Sequence, residues 1–91
     1  MSEAAKTTDH EEIRRWAEER GGRPARVAST ADKGGGGLLR IDFGEPEESL
    51  EEIAWETFFD IFERTRLALL LQDRTEDGGM SRFSKFVDRN A

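Results

Sequence analysis

Apolar residues recur along this chain in several rhythms, and each rhythm predicts its own element. Ile13, Trp16 and Ala17 are spaced three and four apart, which places them on one face of a helix. Thr8 with Glu11 forms a capping box for that helix, and Asp9 with Glu12 offers the same chemistry one residue on. Glu11 stands four residues before Arg15, the favourable orientation for a helical ion pair. Gly21-Gly22 supplies a left-handed C-cap, and Pro24 blocks any continuation. Residues 1–7 carry no such rhythm and are expected to be a loose, disordered tail.

The period then changes to two. Leu39, Ile41 and Phe43 point inward and Arg40 and Asp42 outward in a strand over 38–43. Residues 25–30 read as a weaker partner strand. Ala31 to Gly37 join the two as a hairpin tip with wide backbone freedom, and Gly44 and Pro46 close the second strand.

Residues 49–63 open with a capping box, Ser49 and Glu52, and invite reading as one long helix. The phase argues otherwise. Trp55, Phe58, Phe59 and Phe62 form a tight stripe, whereas Leu50 and Ile53 fall roughly 130° and 170° from its centre at about 100° per residue. A turn or short extended piece over 49–53 and a helix over 54–64 resolve the conflict. Leu67 to Leu71 is an apolar run bounded by polar turns, the pattern of a fully covered strand. A loop over 74–79 follows, and Ser81 is placed to cap a last helix with Met80, Phe83 and Val87 on one side. The expected fold is one α+β domain over 8–91, in the order helix, strand, strand, helix, strand, helix. It has a three-stranded sheet with helices packed on it.

At 91 residues there is room for one modest core, and the clustering of two Trp and six Phe favours folding despite 37% charged residues. The chain has no cysteine, which removes disulfides, thiolate metal sites and thiol nucleophiles. The first residues lack the basic and apolar regions of a signal peptide, and Leu67–Leu71 is too short to cross a bilayer; a cytoplasmic protein without membrane contact is expected. The net charge of −6 is lopsided: residues 1–44 balance eight bases against eight acids, while 45–91 carry six bases and twelve acids. Glu45 to Glu63 holds eight acids and no base, a surface that repels phosphate and disfavours non-specific nucleic-acid binding.

The segment Thr8-Asp9-His10-x-x-Ile13-Arg14-x-Trp16-Ala17-Glu18-x-Arg20-Gly21-Gly22-x-Pro24-Ala25 resembles the opening of a small bacterial protein family without an established activity. Gly37 to Phe43, Trp55-Glu56-x-Phe58-Phe59, Leu70 to Asp73 and Ser81-Arg82-Phe83 fit the same pattern, so the resemblance covers most of residues 8–88. Ala54 stands where relatives usually carry Ser, which deprives the second long helix of its capping hydroxyl. Some similar proteins are labelled glucan-branching enzymes, a chemistry whose barrel needs roughly 250 residues. The resemblance therefore implies a real folded domain and no particular reaction.

Candidate chemistry is sparse. Asp73-x-Thr75-x-Asp77-Gly78 matches the first half of a calcium loop, but Ser84 stands where a bidentate Glu is needed, and an Asp/Gly-rich turn accounts for the same letters. Gly34 to Gly37 beside Lys33 lacks the spacing of a phosphate loop and leads into a strand. His10, the single histidine, sits in a helical first turn where its protonated form would oppose the dipole. Arg14, Arg15, Arg20, Arg23 and Arg26 could contact phosphates, although Glu11, Glu12, Glu18 and Glu19 are interleaved with them. The pairs Glu47-Glu48 and Glu51-Glu52 are adjacent rather than opposed across a cleft, as glycosidase carboxylates would be. No catalytic residue and no cofactor is expected. The leading expectation is a small binding or accessory module acting through protein contacts. The alternatives are a nucleic-acid-associated module using Arg14–Arg26 and a divalent-cation-binding regulator using Asp73–Asp77.

Overall fold

The computed structural model describes residues 4–30 and 38–90. Its order is β1 (Ala5–Thr7), α1 (His10–Glu19), β2 (Arg23–Val27), a 3-10 turn (Ala28–Thr30), β3 (Leu39–Asp42), β4 (Leu50–Glu52), α2 (Trp55–Arg64), β5 (Leu67–Leu71) and β6 (Ser84–Asp88). The strands form two antiparallel three-stranded sheets, β1-β5-β6 and β3-β2-β4. The fold is thus α+β as expected, with two sheets where one was anticipated. The hairpin tip at Ala31–Gly37, including the Lys33 and Gly34–Gly37 phosphate-loop candidate, lies outside the described residues.

Both helices begin and end as their residues dictate. Asp9 caps α1, its Oδ1 accepting from Glu12 N at 3.2 Å. At the other end Gly22 N donates to Ala17 O (2.8 Å) and Gly21 N to Glu18 O (3.2 Å), with Gly21 at φ +70. These are the paired bonds of a Schellman motif. Helix α2 starts at Trp55 behind Ala54, which offers no capping side chain. Leu50 to Glu52 form a strand rather than a first helical turn, as the phase conflict predicted.

Two segments depart from expectation for one reason. Leu67–Leu71 is apolar at every position, and a strand covered on both faces is stable only with neighbours along both edges. Ala5–Thr7 supplies one edge, pairing Ala5 with Leu71, so these three residues of the expected loose tail form β1. Residues 84–88 supply the other, pairing Phe86 with Leu69, and form β6 in place of the expected last helix. Helical spacing would bury Met80 and Phe83; they are 52% and 47% exposed, while Phe86 packs against the core. Ser81 is buried and its Oγ accepts from Phe83 N, a local turn rather than a helix cap.

The core joins Ile13, Trp16 and Ala17 of α1 to Phe58, Ile61 and Phe62 of α2, with Leu39, Leu69 and Leu71 from the sheets. Helix α2 contacts β2, β3 and β5 and so bridges the two sheets. The interior expected for the Trp55 stripe is confirmed for Phe58 and Phe62, whereas Trp55 and Phe59 are only half-buried. Ile61, one step off that stripe, completes the core. One outward residue also turns inward: Asp42, 8% exposed, meets Arg23 across the β2–β3 pair at 3.2 Å.

Candidate functional site

The five arginines of the first helix and following strand do not gather into a binding face. Arg14 and Arg15 both turn to Glu11. Arg23 meets Asp42 and donates to Gly44 O at 2.7 Å, and Arg26 meets Glu51 at 2.8 Å. Arg20 is buried. Its Nε donates to Ser81 O (2.5 Å), its Nη1 to Trp16 O (2.9 Å) and its Nη2 to Asp73 O (2.9 Å), while the guanidinium lies 4.5 Å from the Trp16 ring centroid. This is a structural clamp joining α1 to the segment before β6, spread over carbonyls that a Lys could not span.

The Asp73–Asp77 loop closes on itself. Thr75 N donates to Gly79 O (2.7 Å), Gly78 N donates to Thr75 O (3.0 Å), and Thr75 Oγ1 donates to Asp77 Oδ1. That hydroxyl, with the Gly79 amide, holds the Asp77 carboxyl below its ordinary range. Asp73 turns away toward Arg20, 3.6 Å from its Nη2. Among the described residues no group of three His, Cys, Asp or Glu side chains is arranged to hold a metal ion.

His10 is engaged in a cluster that no local spacing announces. Its ring stacks on Phe59 with centroids 4.1 Å apart and planes 9° from parallel, and Phe59 in turn stacks on Trp55. His10 Nε2 lies 2.7 Å from Glu63 Oε2. Arg89 grips the same carboxylate through Nη1 (2.9 Å) and Nη2 (3.1 Å), and its Nε donates to Leu67 O. The Arg89 hydrogen bonds first, and the His10 bond after them, lower the Glu63 pKa to about 2. These partners are 53 and 26 residues away from Glu63, so only the folded chain reveals them.

A second grouping was hidden by the expected last helix. Strand β3 is an edge of one described sheet and β6 an edge of the other. Between them runs a cleft of about 450 Å³ whose walls carry Arg40, Arg82 and Lys85. Ile41, Phe43 and Phe86 form its apolar side, and Ser84 contributes a hydroxyl. Arg40 is anchored to its own strand, Nη1 donating to Leu39 O at 2.7 Å. The Arg82 guanidinium lies 5.6 Å from the centroid of Phe43, a cation held over an aromatic face. None of the three cations has a carboxylate within ion-pair distance among the described residues, whereas the arginines of α1 and β2 do. That gathering of uncompensated positive charge stands out in a chain of net charge −6.

Compared with known proteins, the chain matches no family model, no curated protein and no solved structure.

Proposed function

We propose that this domain is a non-catalytic binding module that works through protein contacts, seating an anionic segment of a partner protein in the cleft between β3 and β6. The observation that carries this reading is the convergence of Arg40, Arg82 and Lys85 on one concave site without an internal counterion. The arginines of α1 and β2, with Arg64 and Arg89, meet acids of the chain itself, whereas the cations gathered in this cleft are left for a partner that supplies the missing carboxylates. The apolar residues beside the cations provide area that excludes water around such pairs, the condition under which a charged contact contributes to affinity rather than to encounter rate alone.

The test is titration of a fluorescently labelled hexaglutamate peptide into the full chain at low ionic strength, repeated with Arg82→Ala/Lys85→Ala. Saturable, salt-sensitive binding by the native chain, weakened at least tenfold in the double variant, supports the reading. Failure of the native chain to bind this or any other anionic peptide, or equal binding by the double variant with an unchanged melting temperature, overturns it.

A further inference from the structure

We infer that the group this cleft is built to receive is a phosphate monoester on an aromatic side chain, a phosphotyrosine of the partner segment, rather than a run of carboxylates. The inference rests on the reading that the cleft takes an anionic protein segment, and it specifies the anion.

Three features of the site point to it. The first is charge: Arg40, Arg82 and Lys85 bring three positive charges to one cleft, and a single carboxylate neutralises one of them. A phosphate monoester carries nearly two negative charges at neutral pH and three acceptor oxygens, so one group can engage several donors at once. The second is donor geometry. Two of the three cations are guanidinium groups, whose planar forks match phosphate oxygens in pairs, and the Ser84 hydroxyl adds a neutral donor on the same wall.

The third is the aromatic contact: the Arg82 guanidinium carbon lies 5.6 Å from the Phe43 centroid, a cation already placed over an aromatic ring of this chain. An incoming aryl ring can add a second aromatic contact to that cation, with Phe86 and Ile41 supplying further apolar contact. A phosphate attached to that ring shares the cleft with Arg40 and Lys85. A phosphoserine has no ring to place there, and a glutamate has neither ring nor second charge.

The acidic surface over Glu45–Glu63 does not conflict with this. None of its acids is within ion-pair distance of Arg40, Arg82 or Lys85 among the described residues, so they act on a ligand through solvent, damped by salt, while the cleft cations contact it directly. These acids oppose long anionic polymers, whose many phosphates would lie along them, far more than a single phosphate.

The deciding experiment compares three peptides of one neutral sequence that carry phosphotyrosine, tyrosine or glutamate at a central position. Binding to the full chain is measured by fluorescence anisotropy and by amide shifts of Arg82, Ser84 and Lys85 in NMR spectra. Phenyl phosphate, inorganic phosphate and adenosine monophosphate are titrated in parallel. The expected result is at least tenfold tighter binding of the phosphotyrosine peptide than of the glutamate peptide. Shifts should centre on the cleft, and binding should weaken tenfold or more in Arg82→Ala and in Lys85→Ala. Equal affinity for the glutamate and phosphotyrosine peptides would overturn the phosphate inference and leave the anionic-segment reading standing. Adenosine monophosphate binding as tightly as the phosphopeptide would overturn the protein source of the ring. Absence of binding by every anion, hexaglutamate included, would overturn both readings together.

Discussion

His10 and Phe59 lie face to face at 4.1 Å, and the same imidazole reaches Glu63 at 2.7 Å. The first turn of α1 is thereby stitched to the last turn of α2, and Arg89, just past β6, closes the stitch from the other side. Glu63 is the hub, and its ionised form is what both partners hold. Because its pKa falls from the ordinary 4.5 to about 2 on folding, its contribution to stability is fully present above pH 4.5. It is lost as pH falls through the interval down to about 2. Glu63→Gln is therefore expected to lower the melting temperature at pH 7. The gap between native and variant chains should narrow steadily below pH 4.5. Thermal unfolding followed by circular dichroism across that range checks this, and a gap of constant size would contradict the assignment.

Arg20 makes a second, stronger test of the packing. Its side chain is 3% exposed and its three donors serve carbonyls of Trp16, Asp73 and Ser81. Arg20→Ala leaves those carbonyls short of partners and opens space beside Trp16, for an expected loss of about 3 kcal/mol. Arg20→Lys should recover little, since one ammonium cannot reach three divergent acceptors. Urea denaturation of both variants gives the comparison, and full recovery by Lys would mean that charge alone matters there.

How far the sequence disclosed this structure depends on the range of the forces involved. The limits of α1 and α2 and the break at 49–53 follow from caps and phase, which act over one or two turns, and those were legible. The fates of Ala5–Thr7 and Ser84–Asp88 are set by the unmet edges of β5, a strand distant in sequence from β1. Local rhythm there even pointed the wrong way, because Phe83 and Val87 happen to fall four apart. The same error concealed the cleft: with 84–88 read as helix, Lys85 had no reason to share a wall with Arg40. The arginines of residues 14–26 were conspicuous by count, and the fold pairs each of them internally. In this chain, composition pointed to paired arginines and topology placed the unpaired ones.

Phe58 and Phe62 locate most of the interior on α2, the helix that bridges the sheets. Both are wholly buried, and truncation to Ala is expected to cost about 3–5 kcal/mol at either site. Trp55→Ala should cost markedly less, because the ring is only half-buried, packed against the core beside Phe58 and Phe59. Comparable losses at all three positions would show that the exposed row of rings contributes as much as the buried one.

Gly21 and Gly22 end α1 side by side, yet they are glycine for different reasons, and that difference reaches the cleft. Gly21 has φ +70 with open space around it, so Gly21→Ala is expected to cost about 1 kcal/mol of backbone strain. At Gly22 a Cβ would stand 2.8 Å from Ile41 Cγ2 and 2.9 Å from Phe43 Cε1, closer than atoms approach. Ile41 is β-branched and stiff, and Phe43 is held edge-on against Trp16, so neither yields cheaply. Gly22→Ala should cost about 1–3 kcal/mol through overpacking. The two residues it displaces are those that line the cleft beside Arg40 and support the Arg82 guanidinium. Gly22→Ala is therefore expected to weaken binding of the phosphotyrosine peptide severalfold under conditions where the chain remains folded. Gly21→Ala, strained in backbone alone, should leave that affinity unchanged. Affinity measured beside melting temperature for the two variants separates loss of fold from loss of cleft shape, and equal effects on binding would show that Ile41 and Phe43 do not shape the site.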